Sequence, residues 1–308
     1  MIISRWCFLT VFLFYNCYLA ACAEETKSIE EWNPPSVGPV VTWTAPLTGV
    51  GKLAVQPFFF YNRTRGYFDD DGHYHGFAPG EKKYQYQQVL LLKYGVIDRL
   101  EFAGEAIFQE SYIKLGDEKG HTNGFSDSYL YLRYCVTEEK DWLPYTVAHF
   151  QLKMPTGKYQ HADPDRLGTD LMGAISGGGS WDPGFGINLT KKLKPLIFHA
   201  DVICSFPQEV KVDGVKTIYG TYLNYDFGVE YFLPKGFNLM FEVNGFAQGD
   251  LKANGDRIPA SDNGYFIISP GIGWSCKKLQ TLLAYQRVLV GTNVDANDSI
   301  VFTCMMTF

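Results

Sequence analysis

Past residue 51, apolar and polar side chains alternate with a period of two, the spacing of a strand with one apolar and one polar face. In 223–233, Leu223, Tyr225, Phe227, Val229, Tyr231 and Leu233 share one face, and Asn224, Asp226, Gly228 and Glu230 share the other. In 237–244, Phe237, Leu239, Phe241 and Val243 oppose Asn238, Met240, Glu242 and Asn244. The final stretch sets Ile300, Phe302, Cys304, Met306 and Phe308 against Val301, Thr303, Met305 and Thr307. Segments of this kind, each followed by a turn, predict twelve strands near 52–62, 83–94, 99–113, 125–137, 144–154, 181–190, 196–207, 218–233, 237–247, 264–275, 279–289 and 299–308.

A soluble sandwich also alternates, so the links decide the architecture. Links after the odd strands read as long: 63–82, 114–124, 155–180, 208–217, 248–263 and 290–298. Links after the even strands read as short: 95–98, 138–143, 191–195, 234–236 and 276–278. An up-and-down barrel in an outer membrane has this asymmetry, with short periplasmic turns and long outer loops. A Greek-key sandwich would scatter its crossovers among both sets. The expected fold is therefore all-β, a transmembrane up-and-down antiparallel β-barrel of about twelve strands. Hydrocarbon offers the backbone no hydrogen-bond partner, and a closed barrel pairs every group without leaving an edge. The apolar phase then faces lipid and the polar phase lines the lumen, with Tyr61, Trp142, Tyr231 and Trp274 among the residues placed for interface girdles.

The first residues are of another kind. Arg5 precedes an apolar stretch from Trp6 to Leu19, small residues follow through Ala23, and Glu24-Glu25 come next. Residues 1–23 thus read as a secretory signal peptide. Two processing routes fit: cleavage after Ala23, or a lipoprotein box with lipidation of Cys22. Residues 24–50 form an N-terminal lead-in broken by Pro34-Pro35, too short to serve as a plug domain, and 51–308 form the barrel.

Composition narrows the classes. The chain has 308 residues, 46% hydrophobic and 19% charged with net charge −6, which excludes disorder. Past residue 23 no apolar run approaches the roughly 18 residues of a spanning helix. An acidic chain with no Lys/Arg cluster is not expected to bind nucleic acid. Beyond the leader, Cys135, Cys204, Cys276 and Cys304 show no metal-ligand spacing and read as apolar strand residues.

The lumen phase collects Arg99, Glu101, Glu105, Arg133, His149, Lys153, Asp201, Asp226, Glu230 and Glu242, with His199 and Arg287. These residues form either a functional constriction or ion pairs bracing the wall. The link 155–180, with Leu171-Met172 and glycines at 177–179, either folds inward to narrow the pore or stays an outer loop. Asp69-Asp70-Asp71-Gly72-His73-Tyr74-His75 is a weak metal candidate through Asp69, Asp71, His73 and His75, and a solvated loop is the plainer reading. Gly120-His121-Thr122-Asn123-Gly124 lacks the Ser spacing of a twelve-stranded outer-membrane phospholipase and reads as a loop. No cofactor motif occurs, and the protein is not expected to be an enzyme.

From 150 onward the chain carries Lys153-Met154-Pro155-Thr156-Gly157-Lys158-Tyr159, Gly177-Gly178-Gly179-Ser180-Trp181-Asp182-Pro183-Gly184-Phe185-Gly186, Tyr225-Asp226-Phe227-Gly228-Val229-Glu230-Tyr231, Phe237-Asn238-Leu239-Met240-Phe241-Glu242-Val243-Asn244-Gly245 and Ser269-Pro270-Gly271-Ile272. With Gly95-Val96-Ile97-Asp98-Arg99-Leu100-Glu101 and Gly124-Phe125-Ser126-Asp127, these phrases resemble the outer-membrane barrel transporter family associated with the meta pathway of phenol degradation. The resemblance spans roughly 50–308. It implies a Gram-negative outer-membrane location and uptake of apolar or aromatic compounds. The strand ending in Phe308 likewise resembles the signal that such barrels present to their assembly machinery. The leading expectation is passive passage of small apolar or aromatic solutes, with outer-membrane lipid as partner. The alternative is a structural or surface-interaction barrel with a blocked lumen.

Overall fold

The computed structural model describes residues 34, 36, 38–159, 177–276 and 279–308. Among these, twelve long strands follow one another around a single antiparallel sheet: β1 (Leu53–Phe68), β2 (Lys82–Ile97), β3 (Leu100–Leu115), β4 (Ser128–Thr137), β5 (Tyr145–Met154), β6 (Asp182–Leu193), β7 (Leu196–Ser205), β8 (Tyr222–Phe232), β9 (Phe237–Gln248), β10 (Asn263–Cys276), β11 (Leu279–Thr292) and β12 (Val294–Thr307). Each pairs with its neighbours in sequence, and β12 closes on β1 from Ala54↔Thr307 to Phe68↔Val294. The barrel is closed, so no spanning strand leaves its backbone unpaired.

The packing is inverted relative to a soluble protein. Phe241 is 45% exposed while its neighbour Glu242 is 0% exposed. Leu132, Phe185, Val202, Phe227, Leu239, Leu283 and Phe302 continue the exposed apolar band around the outside. Glu101, Arg133, Asn188, Thr190, His199 and Glu230 are buried within. An apolar band of this extent has a natural solvent in hydrocarbon and a poor one in water.

Four links differ from the sequence expectation. The expected long link 290–298 is a tight turn, because β11 runs to Thr292, β12 starts at Val294, and Asn293 turns the chain at φ 50°. A left-handed backbone is one that Asn tolerates better than most residues. The strands extend because their outer ends have a core of their own, in which Phe68, Val288 and Ala296 pack with Tyr265, Ile267 and Val294. Asn293 also ties neighbouring links together, donating its backbone N–H to the Asp69 carbonyl and its side-chain amide to the Ala260 and Asp262 carbonyls. The 114–124 link turns at Gly116 and sends Glu118–Phe125 back along β3 as a strand, so His121 and Thr122 lie on a strand rather than in a loop. The 208–217 and 248–263 links meet in a small sheet built from Val210–Val212, Val215–Ile218, Lys252–Ala253 and Asp256–Arg257. Outer links with turns and pairing of their own need no apolar alternation to be ordered.

Candidate functional site: the lumen and the segment inside it

The lead-in, expected from its length to be too short for a plug domain, occupies the lumen at Ser36 and residues 38–50. Ser36 Oγ donates to Glu230 at 2.5 Å, and Pro39 lies so close to β8 that a Cβ at Gly228 would run into its ring. The backbone N–H groups of Val40, Val41 and Thr42 converge on the Glu242 carboxylate at 2.5–3.3 Å, and Thr42 Oγ1 adds a fourth donor. The chain then crosses the barrel. Trp43 packs on Tyr131 with ring centroids 4.7 Å apart and receives the Arg133 guanidinium over its face at 4.6 Å. Thr44 accepts from Arg133, the Ala45 N–H donates to Thr190 Oγ1, and the Thr48 N–H donates to Glu101. Val50 bridges to Gly95 at the short-turn end, and β1 begins at Leu53. The segment is thus a loop inserted from the periplasmic end, with its apex at Val40–Trp43.

An isolated buried carboxylate costs several kcal/mol, and donors are what remove that cost. Glu242 meets it with backbone amides of the inserted loop. Glu101 meets it with Arg133 and Thr48. Glu230 accepts from Ser36 and Asn238 and pairs with His199 Nε2 at 2.9 Å. Wall and loop therefore satisfy one another.

The remaining lumen candidates divide. Asp201 accepts from Asn188 and stands 3.4 Å from His149 Nε2. Lys153 lies between Asp182 at 2.5 Å and Asp127 at 3.6 Å. Glu105 accepts from Tyr131 Oη at 3.3 Å, and Asp226 accepts from Asn244 at 2.8 Å. All of these face inward. Arg99 does not: it lies in the turn between β2 and β3, exposed, 3.7 Å from Glu138. Arg287 does not either, because it shares the outward phase of Tyr285 and Leu289 and stands 3.7 Å from Asp298. For Arg99 alternation was extended past a strand end into a turn, whereas Arg287 lies within β11 on its outward phase.

Sequence reading missed Asp127 and Asp182. Asp127 accepts from the Gly157 and Gly178 backbone N–H groups, gathering the two ends of the 155–180 link beside Lys153. The rest of that link, including Leu171-Met172, lies outside the described residues, as do Cys22 and the whole of 1–23. The phrase Gly124-Phe125-Ser126-Asp127 was visible, but nothing local showed that a loop 30 or 51 positions away would seek its carboxylate.

The acidic loop builds a turn. Asp69 Oδ1 accepts from the Asp71 and His73 N–H groups, and Oδ2 contacts His75 Nε2 at 2.6 Å. The His75 hydrogen bond holds the Asp69 carboxyl below its usual range. Among the described residues no group of three His, Cys, Asp or Glu is arranged to hold a metal ion.

Above the inserted loop lies a cavity of about 660 Å³. Pro39–Thr44 form its floor, and Tyr129, Tyr131, Tyr222, Phe246 and Tyr265 dominate its walls. A second cavity of about 280 Å³, toward β10–β12, shares Val41, Phe60, Gln87, Asn224, Asp226 and Tyr265 with the first.

Comparison with known proteins locates this architecture. A family model described as "Putative MetA-pathway of phenol degradation" matches residues 81–299. An outer-membrane channel of Pseudomonas putida F1 superposes with a TM-score of 0.69 at 15% identity, covering 90% of this chain and all of that one. The translocator domain of the autotransporter NalP from Neisseria meningitidis gives 0.45 at 10% identity over 84% of this chain and 89% of its own. A FadL homologue of Pseudomonas aeruginosa gives 0.39 at 11% identity over 83% of this chain and 89% of its own. No curated protein matches.

Proposed function

The chain belongs to the MetA-pathway phenol-degradation family, and from that membership and the lumen we propose an outer-membrane channel for small solutes, aromatic ones among them, whose passage is governed by residues 36–50. The observation that carries this reading is the form of the obstruction. Hydrogen bonds tie the inserted loop to Glu101, Thr190, Glu230 and Glu242 on the wall, a kind of contact that water can replace. Val40, Trp43 and Ala45 add apolar contacts with the wall, so opening must break both kinds. The outer cavity is lined by aromatic rings as well as polar groups, so a ring-bearing solute finds contact area there. The apolar exterior suits outer-membrane lipid.

In-frame deletion of residues 36–48 tests the reading. In planar bilayers the deletion is expected to raise single-channel conductance several-fold, and in liposomes to speed the entry of simple aromatics and monosaccharides. Unchanged conductance in a barrel that still shows heat-dependent gel mobility would remove the loop from the mechanism. A second reading is favoured by the same loop: a barrel braced shut, whose outer links do the work. No passage of any solute before or after the deletion would select it.

A further inference from the structure

We propose that the outer cavity is a binding site for small aromatic ammonium compounds. This deepens the channel reading and rests on it. Two walls of the cavity repeat one arrangement, aromatic rings beside a carboxylate. On β8–β10, Tyr222, Phe246 and Tyr265 stand side by side, with centroids 5.6 and 5.3 Å apart and the second pair nearly parallel. One pleat closer to the inserted loop, Asp226 faces Asn244 across the ladder. On β3–β4, Tyr129 stacks with Tyr131 at 6.2 Å, Trp43 packs against Tyr131, and Glu105 accepts from the Tyr131 hydroxyl.

Charge sets the ligand's sign. Four carboxylates line the cavity, Glu105, Asp182, Asp201 and Asp226, against two lysines, Lys93 and Lys153. Lys153 is already committed to Asp182 and Asp127. Lys93 sits on β2, on the opposite wall from Asp226. Asp226 is paired across β7–β8 with Asp201, another carboxylate, and Glu242 lies on its other side. Among the described residues Asp226 has one hydrogen-bond partner, Asn244 on Oδ1, so Oδ2 is free to accept.

Aromatic rings gain from stacking on one another, and a poorly compensated carboxylate gains from an N–H donor. An aryl-ethylammonium satisfies both at once, with its ring against Phe246 and Tyr265 and its nitrogen toward Asp226. A neutral alcohol of the same shape keeps the ring contacts and offers one weaker donor. A carboxylate of the same shape meets like charge. The volume, about 660 Å³, is ample for such molecules.

The test uses three near-isosteric probes, phenethylammonium, 2-phenylethanol and phenylacetate, titrated into the full chain in detergent by calorimetry. The expected order of affinity is ammonium, then alcohol, then carboxylate. Asp226→Asn is expected to weaken the ammonium by about tenfold and to shift the alcohol by no more than about twofold. Phe246→Ala should weaken both. Equal or tighter binding of phenylacetate, an ammonium affinity indifferent to Asp226, or no binding of any probe to folded barrel would overturn the proposal. Should Asp226→Asn not fold, the order of the three probes on the unmodified protein decides. Bilayer conductance separates the two readings: binding without conductance leaves the site and sinks the channel, and conductance without binding does the reverse.

Discussion

Glu242 accepts from three successive backbone N–H groups of the inserted loop, and among the described residues no other lumen carboxylate engages so much of it. Glu242→Gln replaces one acceptor oxygen with an NH2 group that faces donors. Charge-assisted bonds are worth about 1.5–3 kcal/mol each, so under the proposed gating by the loop an open state should gain about tenfold or more in population. Single-channel recording of the variant reads this directly, and unaltered gating would show that other contacts hold the loop. Arg133 has a different weight. Arg133→Met leaves Glu101 buried without its cation, which should cost about 3–5 kcal/mol in urea unfolding from vesicles, and adding Glu101→Gln should recover much of it. On the outer surface, the His75 hydrogen bond lowers the Asp69 carboxyl relative to the unfolded chain. A depressed carboxylate contributes stability above its unfolded range and loses it as pH falls through the folded value. Protease sensitivity of the 69–81 link should therefore rise on acidification through the carboxylate range, and His75→Ala should show the same sensitivity at neutral pH.

At the scale of the element, alternation decides which solvent each side chain meets. Phe241→Lys puts a charge in the apolar band and should cost about 2–4 kcal/mol if it lies near the bilayer midplane, whereas Asn244→Gln, on the lumen face of the same strand, should cost far less. Urea titration of folding into lipid vesicles distinguishes them, and equal costs would mean that the two faces are misassigned. All twelve strands were legible for this reason, since a period of two survives in the sequence wherever one face is apolar. The outer ends were less legible. The β11–β12 turn at Asn293 was hidden because Val288 and Val294 pack beyond the membrane in a core that includes Phe68, a contact made across the barrel seam. Arg99 was assigned to the lumen by carrying the strand phase into a turn, where it fails, and Arg287 lies on the outward phase of β11 with Tyr285 and Leu289.

For the whole molecule, the wall and the inserted loop are separate achievements. The wall is closed by the β1–β12 ladder, in which the 36–50 segment takes no part, so the deletion of 36–48 should leave a barrel that still migrates faster on gels before boiling than after. Loss of that behaviour would make the loop part of the fold. The sequence by itself determined the class and the strand count, because those follow from a local period and from the rule that hydrocarbon offers no hydrogen bonds. Only the tertiary structure decided what fills the lumen. Residues 36–50 carry no period of their own, and their conformation is dictated by partners such as Glu242, 202 positions from Val40, whose need for donors arises only once the barrel has closed around them.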